Sequence, residues 1–277
     1  MSIIQTSILS EINYLEYNAN DSLDYFSLSI KKALDEEGYI VIRNFNNATT
    51  DIEHSKKAFL EISSKIGQPI SHDGQNSIIW DIKSNPKSDS LIKTYSEHSH
   101  EAELHTDSQY SEYPEDYFGL LTLKKARCGG GRSLLLSLKD ILSELRELPD
   151  GLKTEKILRE SDYPFIVPNV FKKDNSKTVE FNFGPILRSN EIRFRVDTFE
   201  KAIANRPDLC SEQQLEAYQA LKSIILKSKN TKYFYLENRD LIFINNKTML
   251  HGREGFTDSE RHLLRIRMNK LDAPVFV

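Results

Sequence analysis

The spacing of short apolar segments over the last two thirds of the chain most constrains its fold. SIIWDI (77–82), DYFGLLTL (116–123), RSLLLSL (132–138), PFIVPNVF (164–171), TVEFNF (178–183), EIRFRVD (191–197), KYFYLEN (232–238), DLIFINN (240–246) and HLLRIRM (262–268) all have strand length. Helical periodicity is confined to fewer places. In Ser22–Glu37, Leu23, Phe26, Ile30, Ala33 and Leu34 recur near the 3.6 period, and Gly38 ends the run. YIVIRNF (39–45) then reads as a buried strand. Thr49–Ile66 reads as a second helix, with Thr50 or Asp51 as its cap and Gly67 beyond its end. Lys139–Leu148 and Ser211–Lys227 interrupt the strands, the latter with Leu215, Tyr218, Leu221, Ile224 and Ile225 on one face. Helices first and short strands later predict a mainly β fold with flanking helices, a sandwich or barrel rather than an alternating βα sheet. The 277 residues, 39% of them apolar, suit one elaborated domain over 1–277. It would have a helical N-terminal part over about 1–70 and an inserted helical segment over about 198–228.

Charge and cysteine use exclude several functions. Lys and Arg total 37 against 41 Asp and Glu, a formal net charge of −4. A general polyanion binder needs a basic surplus, so no nucleic acid partner is expected. No apolar run approaches the roughly 20 residues that span a bilayer, and the acidic opening lacks the basic start of a secretory leader. Two cysteines, Cys128 and Cys210, give no disulfide framework and point to a reducing, cytoplasmic setting. They are also too few for a Cys₄ zinc site or a typical iron–sulfur cluster.

The residues able to carry chemistry lie in two regions. In Leu104-His105-Thr106-Asp107 an extended backbone sends His105 and Asp107 to one side, where an imidazole and a carboxylate can meet one metal ion. Such a triplet alone is a weak signal. His251, shortly after the strand DLIFINN, supplies a second imidazole. Two histidines and one carboxylate compose the facial triad of non-haem Fe(II) sites, which keeps coordination positions open. Arg261 and Arg265 follow, four apart and so on one face of an extended strand; a guanidinium clamps carboxylates well. Between the two regions, CGGGRSLLLSL places Ser133 just after a glycine turn. It lacks the G-K-[ST] of a phosphate loop. A zinc hydrolase using the same triad, and a binding protein with a decayed site, remain open at this point.

Other polar residues read more plainly. His98 and His100 in SEHSHEAEL suit a loop rather than a ligand set. Lys124, Lys125 and Arg127 read as a solvated run, and Arg193 and Arg195 as solvent-facing strand positions. Gln109 and Tyr110 are candidates for a substrate pocket; Trp80 and Tyr113 suit a core or rim.

Taken in order, HTD (105–107), GGRS (130–133), HGREGF (251–256) and RHLLR (261–265), with the opening EEGYIVIRNF, resemble one family. It is the Fe(II)/2-oxoglutarate-dependent dioxygenases of the taurine dioxygenase and clavaminate synthase-like group. The resemblance covers about residues 30–270. It implies a double-stranded β-helix (jelly-roll) core. It implies His105, Asp107 and His251 as iron ligands and Arg261 with Ser133 for the distal carboxylate of 2-oxoglutarate. It also implies Arg265 for the co-substrate or for an anionic group of the substrate. Asp107 at the carboxylate position argues against a halogenase. The implied cofactor is Fe(II), with 2-oxoglutarate and O₂ as co-substrates. The implied reaction is oxidation, most simply hydroxylation, of an unactivated C–H bond in a small anionic or zwitterionic molecule such as an amino acid, in natural-product biosynthesis. A sulfonate-type catabolic dioxygenase and a desaturase or epoxidase are the alternatives within the family. Oligomeric state is left open.

Overall fold

The computed structural model describes residues 12–18, 22–45, 51–71, 77–83, 98–168 and 179–271. In chain order the elements are β1 (Tyr14–Glu16), α1 (Leu23–Glu36), β2 (Tyr39–Arg43), α2 (Ile52–Ile66), β3 (Gln68–Ile70), β4 (Trp80–Lys83), β5 (Ala102–His105), β6 (Tyr117–Lys124) and β7 (Ser133–Ser137). They continue with α3 (Leu138–Arg146), α4 (Gly151–Glu160), β8 (Tyr163–Ile166), β9 (Phe181–Gly184), β10 (Leu187–Arg188), β11 (Glu191–Ile192), α5 (Val196–Asn205) and α6 (Glu212–Lys227). The last strands are β12 (Lys232–Phe234), β13 (Leu241–Asn245), β14 (Met249–Arg253) and β15 (His262–Asn269).

Two sheets carry the fold. The larger runs β1-β2-β13-β6-β15-β3, with β4 also on β15; the smaller runs β12-β7-β14-β5. Period-two alternation builds three apolar layers from them. Ile40, Ile42, Leu241, Phe243, Leu264, Ile266 and Met268 face α1 and α2. The opposite-parity residues Tyr39, Val41, Ile242, Ile244 and Leu263 meet Leu135, Phe234 and Met249 of the smaller sheet. On that sheet's far side, Leu104, Leu134, Leu136 and Leu250 pack against α3, α4, α5 and α6. Both faces of each sheet are therefore covered, which explains why YIVI and LIFI read as unbroken apolar runs. The residues between 12 and 70 hold three strands of the larger sheet as well as the two helices.

Local signals explain most helix ends. The Asp51 side chain accepts from Glu53 N at 3.1 Å and starts α2; Thr49 and Thr50 lie outside the described residues. Ser211 and Gln214 form a reciprocal capping box at α6. Some expectations are corrected. EIRFRVD is strand only over Glu191–Ile192 and enters α5 at Val196, where Val196, Phe199 and Ala202 are buried at helical spacing. TVEFNF and PFIVPNVF shrink to β9 and β8, and 169–178 lie outside the described residues. The end of SEHSHEAEL, expected in a loop, enters β5 at Ala102, and His105 is extended as expected. Cys128 is exposed, Cys210 is buried, and both are free. Among the described residues no helix is long and apolar enough to cross a membrane.

At Gly119, in the middle of β6, the Phe59 side chain of α2 lies close against the larger sheet. A Cβ there would stand 2.8 Å from Phe243 and 2.9 Å from Phe59. We expect Gly119→Ala to destabilise the protein by about 1–3 kcal/mol through overpacking. Urea unfolding checks this, and an unchanged midpoint would show that the helix yields freely.

Candidate active site

Strand pairing assembles the site. β14 lies antiparallel to β5 with His251 directly across from His105, and their ring centroids are 4.4 Å apart. The pairing shifts between His251 and Arg253, and Gly252 sits in that irregularity. A Cβ on Gly252 would come 2.7 Å from the Ala102 carbonyl, so only glycine lets the two strands approach this far. Asp107 leaves the turn just after β5. Its backbone is fixed by buried Asn246, whose Oδ1 accepts from Asp107 N at 2.8 Å. Asn246 Nδ2 donates to the carbonyls of Asp107 (3.1 Å) and Glu115 (3.0 Å).

His105, Asp107 and His251 each offer one ligand atom, all within 4.8 Å of one another. His105 Nε2 is 3.7 Å and His251 Nε2 3.4 Å from the Asp107 carboxylate. His105 Nδ1 meets the Glu103 carbonyl at 2.7 Å, which turns Nε2 toward the cluster. Burial, reinforced by His251, holds the His105 imidazole well below its ordinary pKa and therefore neutral, the form that ligates metals. Burial pushes the Asp107 carboxyl up, but Arg265 and then His251 outweigh it and hold it well below the usual carboxylate range. One carboxylate and two imidazoles fit a divalent first-row metal such as Fe(II).

The cluster opens into a cavity of about 140 Å³ between the two sheets. Arginines dominate its polar lining: Arg195, Arg253, Arg261, Arg265 and Arg267, against Asp107 as the carboxylate on the wall. Most are matched. Arg265 pairs with Asp107 and lies 3.6 Å from buried Glu115, which is 3.5 Å from Arg267. Arg195 pairs with Asp197 through Nε at 2.6 Å. Arg261 differs. It is only 9% exposed and stacks over Phe256 at 5.0 Å, and no carboxylate or acceptor pairs with its guanidinium among the described residues. Burial, with Arg253 nearby, pushes its pKa down to about 9. A desolvated cation without a counter-ion is a site prepared for an anion. Ser133 lines the same end of the cavity, and a Cβ on Gly131 would lie 3.9 Å from Arg261 Nε.

The residues marked in the sequence are thus gathered: His105, Asp107, His251, Arg261, Ser133, Arg265 and Tyr110 all line one cavity. Tyr110 is packed against the helical core, and burial raises its hydroxyl pKa. Arg265 reaches the cavity already paired with Asp107. Three expectations are corrected. Gln109 is fully buried and bonds Thr198 instead of lining the cavity. Arg193 is buried and donates to the Gln109 carbonyl at 3.0 Å, and Arg195 faces the cavity, so neither is a solvent-facing strand position. Lys124, Lys125 and Arg127 do form exposed ion pairs, with Glu260, Glu237 and Asp258. The sequence reading missed Asn246, Glu115, Arg253 and Arg267. For Arg267 a signal existed: Leu263, Arg265 and Arg267 share one parity in β15 and one wall of the cavity.

Two sheets meeting at a two-histidine, one-carboxylate cluster place the chain in the class of non-haem iron oxygenases. The model of the taurine catabolism dioxygenase TauD, TfdA family matches residues 11–267, and the chain belongs to that family. Solved structures of similar fold include an asparagine oxygenase in complex with Fe(II), 3-hydroxyasparagine and succinate (TM-score 0.69, 18% identity, 89% of this chain and 79% of that one). Others are the non-haem iron oxygenase OrfP in complex with Fe and alpha-ketoglutaric acid (TM-score 0.61, 18% identity, 89% and 78%) and PvcB from Pseudomonas aeruginosa (TM-score 0.62, 17% identity, 92% and 84%). No curated protein matches the sequence.

Asn246 offers a test of the site's construction. Asn246→Ala strands polar backbone groups of the Asp107 turn at a cost of about 1–3 kcal/mol. Cobalt(II) titration of the metal-free protein should then show affinity about 10- to 100-fold weaker, the usual scale for a lost orienting contact. Wild-type affinity would show that Asp107 is positioned without it.

Proposed function

We propose that the chain is an Fe(II)- and 2-oxoglutarate-dependent oxygenase that hydroxylates a C–H bond of a small amino acid or amino acid derivative. Arg261, desolvated and unmatched among the described residues, carries this reading, because a dicarboxylate co-substrate held by the metal at one end needs a buried cation for the other. His105, Asp107 and His251 would hold the iron. Arg261 and Ser133 would orient the distal carboxylate of 2-oxoglutarate. Bound Fe(II) would supply O₂ activation, with one oxygen atom going to succinate as CO₂ leaves and the other to the substrate as a hydroxyl. Phe118, Leu120, Leu263 and Ile82 keep water from the reacting region. Tyr110 and Arg265, on the wall by Asp107, are the residues offered to substrate; Arg265 would share an anion with its Asp107 contact.

Family membership and the arginine-rich wall support an anionic or zwitterionic substrate. The similar structures holding 3-hydroxyasparagine, or (3S)-hydroxy-L-Arg in OrfP, support an amino acid over a sulfonate and suit natural-product biosynthesis. We further propose that the paired sheets form the double-stranded β-helix of the family as one domain, in the cytoplasm, where both cysteines stay reduced.

The test is succinate formation with added Fe(II) and 2-oxoglutarate while free amino acids and their derivatives are screened for stimulation. His105→Ala, Asp107→Ala and His251→Ala should each abolish it in a folded protein; near-normal succinate from any one removes that residue from the metal site. Arg261→Ala should raise the KM for 2-oxoglutarate by the equivalent of about 2–5 kcal/mol, the cost of breaking a desolvated charge pair. Ser133→Ala should cost about 1 kcal/mol, as for one hydrogen bond. An unchanged KM in Arg261→Ala would refute the co-substrate assignment.

A further inference from the structure

Arg253 follows His251 by two residues and is buried, yet no carboxylate pairs with it among the described residues. Its guanidinium is committed to backbone carbonyls. Nη1 donates to Glu254 O at 3.0 Å, and Nη2 donates to His98 O at 3.0 Å and His100 O at 2.9 Å. Nη2 holds both carbonyls of the 98–100 segment and Nη1 holds the third; a lysine side chain ends one bond short of either nitrogen and has no second one, so it cannot replace the fork. Two of the carbonyls belong to the 98–100 segment, which leads into β5 and so to His105. Phe256 N fastens the same segment through Ser99 O at 2.9 Å.

Arg253 also borders the anion pocket. It lies over the Phe256 ring at 4.5 Å, and Arg261 lies over the same ring at 5.0 Å. In the β14–β7 register Arg253 stands directly across from Ser133. The residues assigned to the distal carboxylate thus flank it, one across the ring and one across the sheet. Two like charges this close, away from bulk water, repel each other until an anion arrives.

We infer that Arg253 is a positioning residue that pins the 98–100 segment to β14 and adds a second positive charge to the pocket of the co-substrate's distal carboxylate, so that dicarboxylate binding tightens that segment. This rests on the functional reading given above. Coupling of this kind is reciprocal: a segment that is tightened by the anion also tightens the anion.

Charge and fork can be separated by substitution. The experiment measures 2-oxoglutarate affinity of the full chain under anaerobic Fe(II), together with amide hydrogen exchange at residues 99–101. In the wild type, exchange there should slow when 2-oxoglutarate is added. Arg253→Gln should bind 2-oxoglutarate about tenfold weaker or more, within the usual range of coupling between sites, and show no slowing. Arg253→Lys keeps the charge and loses the fork: affinity should stay within about threefold of wild type while the slowing disappears. Wild-type affinity in Arg253→Gln, equal affinity losses in both variants, or wild-type exchange indifferent to 2-oxoglutarate would each overturn the inference. If Arg253→Gln does not fold, Arg253→Lys decides: retained slowing refutes the fork, and a large affinity loss refutes the charge. A wild type that binds no 2-oxoglutarate with Fe(II) would overturn the functional reading itself.

Discussion

The site depends on one strand pairing, β14 against β5, in the register that sets His251 across from His105. Leu104 and Leu250, beside those histidines, point the other way into the helical core. A slip of one residue in either strand would exchange imidazole for leucine and bury the wrong group on both sides. The apolar layer under α3, α4, α5 and α6 therefore fixes the metal site indirectly. Asn246, from the turn after β13, ties Asp107 to the larger sheet. The carboxylate of the candidate metal cluster thus arrives from the junction of the two sheets.

Charge balance then decides what the cavity accepts. The chain as a whole is acidic, yet the cavity wall is rich in arginine. Asp107, Arg265, Glu115 and Arg267 alternate in sign, with Glu115 buried behind the wall, so each charge is partnered away from water. Arg261 stands outside that chain of pairs, at the end lined by Ser133. Its desolvation is unfavourable in the free protein, and on the proposed reading a bound carboxylate would offset it and concentrate anion selectivity at one point.

Much of this was legible in the sequence, and the rest was hidden for physical reasons. The apolar runs of β2, β6, β7, β13 and β15 declare themselves because both faces of their sheets are covered. Caps at Asp51 and Ser211 mark helices correctly. The start of β5 and all of β14 escaped notice because His105, His251 and Arg253 point into the cavity and so invert the usual polar-out pattern. α5 was hidden behind EIRFRVD, where alternating arginines imitate a strand while Arg193 is buried against the Gln109 carbonyl. Glu115, Asn246 and Arg253 could not be found from local text, since the partners that place them in the site lie more than a hundred residues away in sequence and only the sheet register brings them together.

The central claim is that this chain holds Fe(II) and 2-oxoglutarate together, the metal on His105, Asp107 and His251 and the far carboxylate on Arg261. The most direct measurement is an anaerobic titration of the metal-free protein with Fe(II) and 2-oxoglutarate, read by visible absorption. The account predicts a weak charge-transfer band that needs both components and saturates at one equivalent of iron. Absence of the band with both present, or a band that forms equally well when a 2-oxo acid without a second carboxylate replaces 2-oxoglutarate, would contradict it.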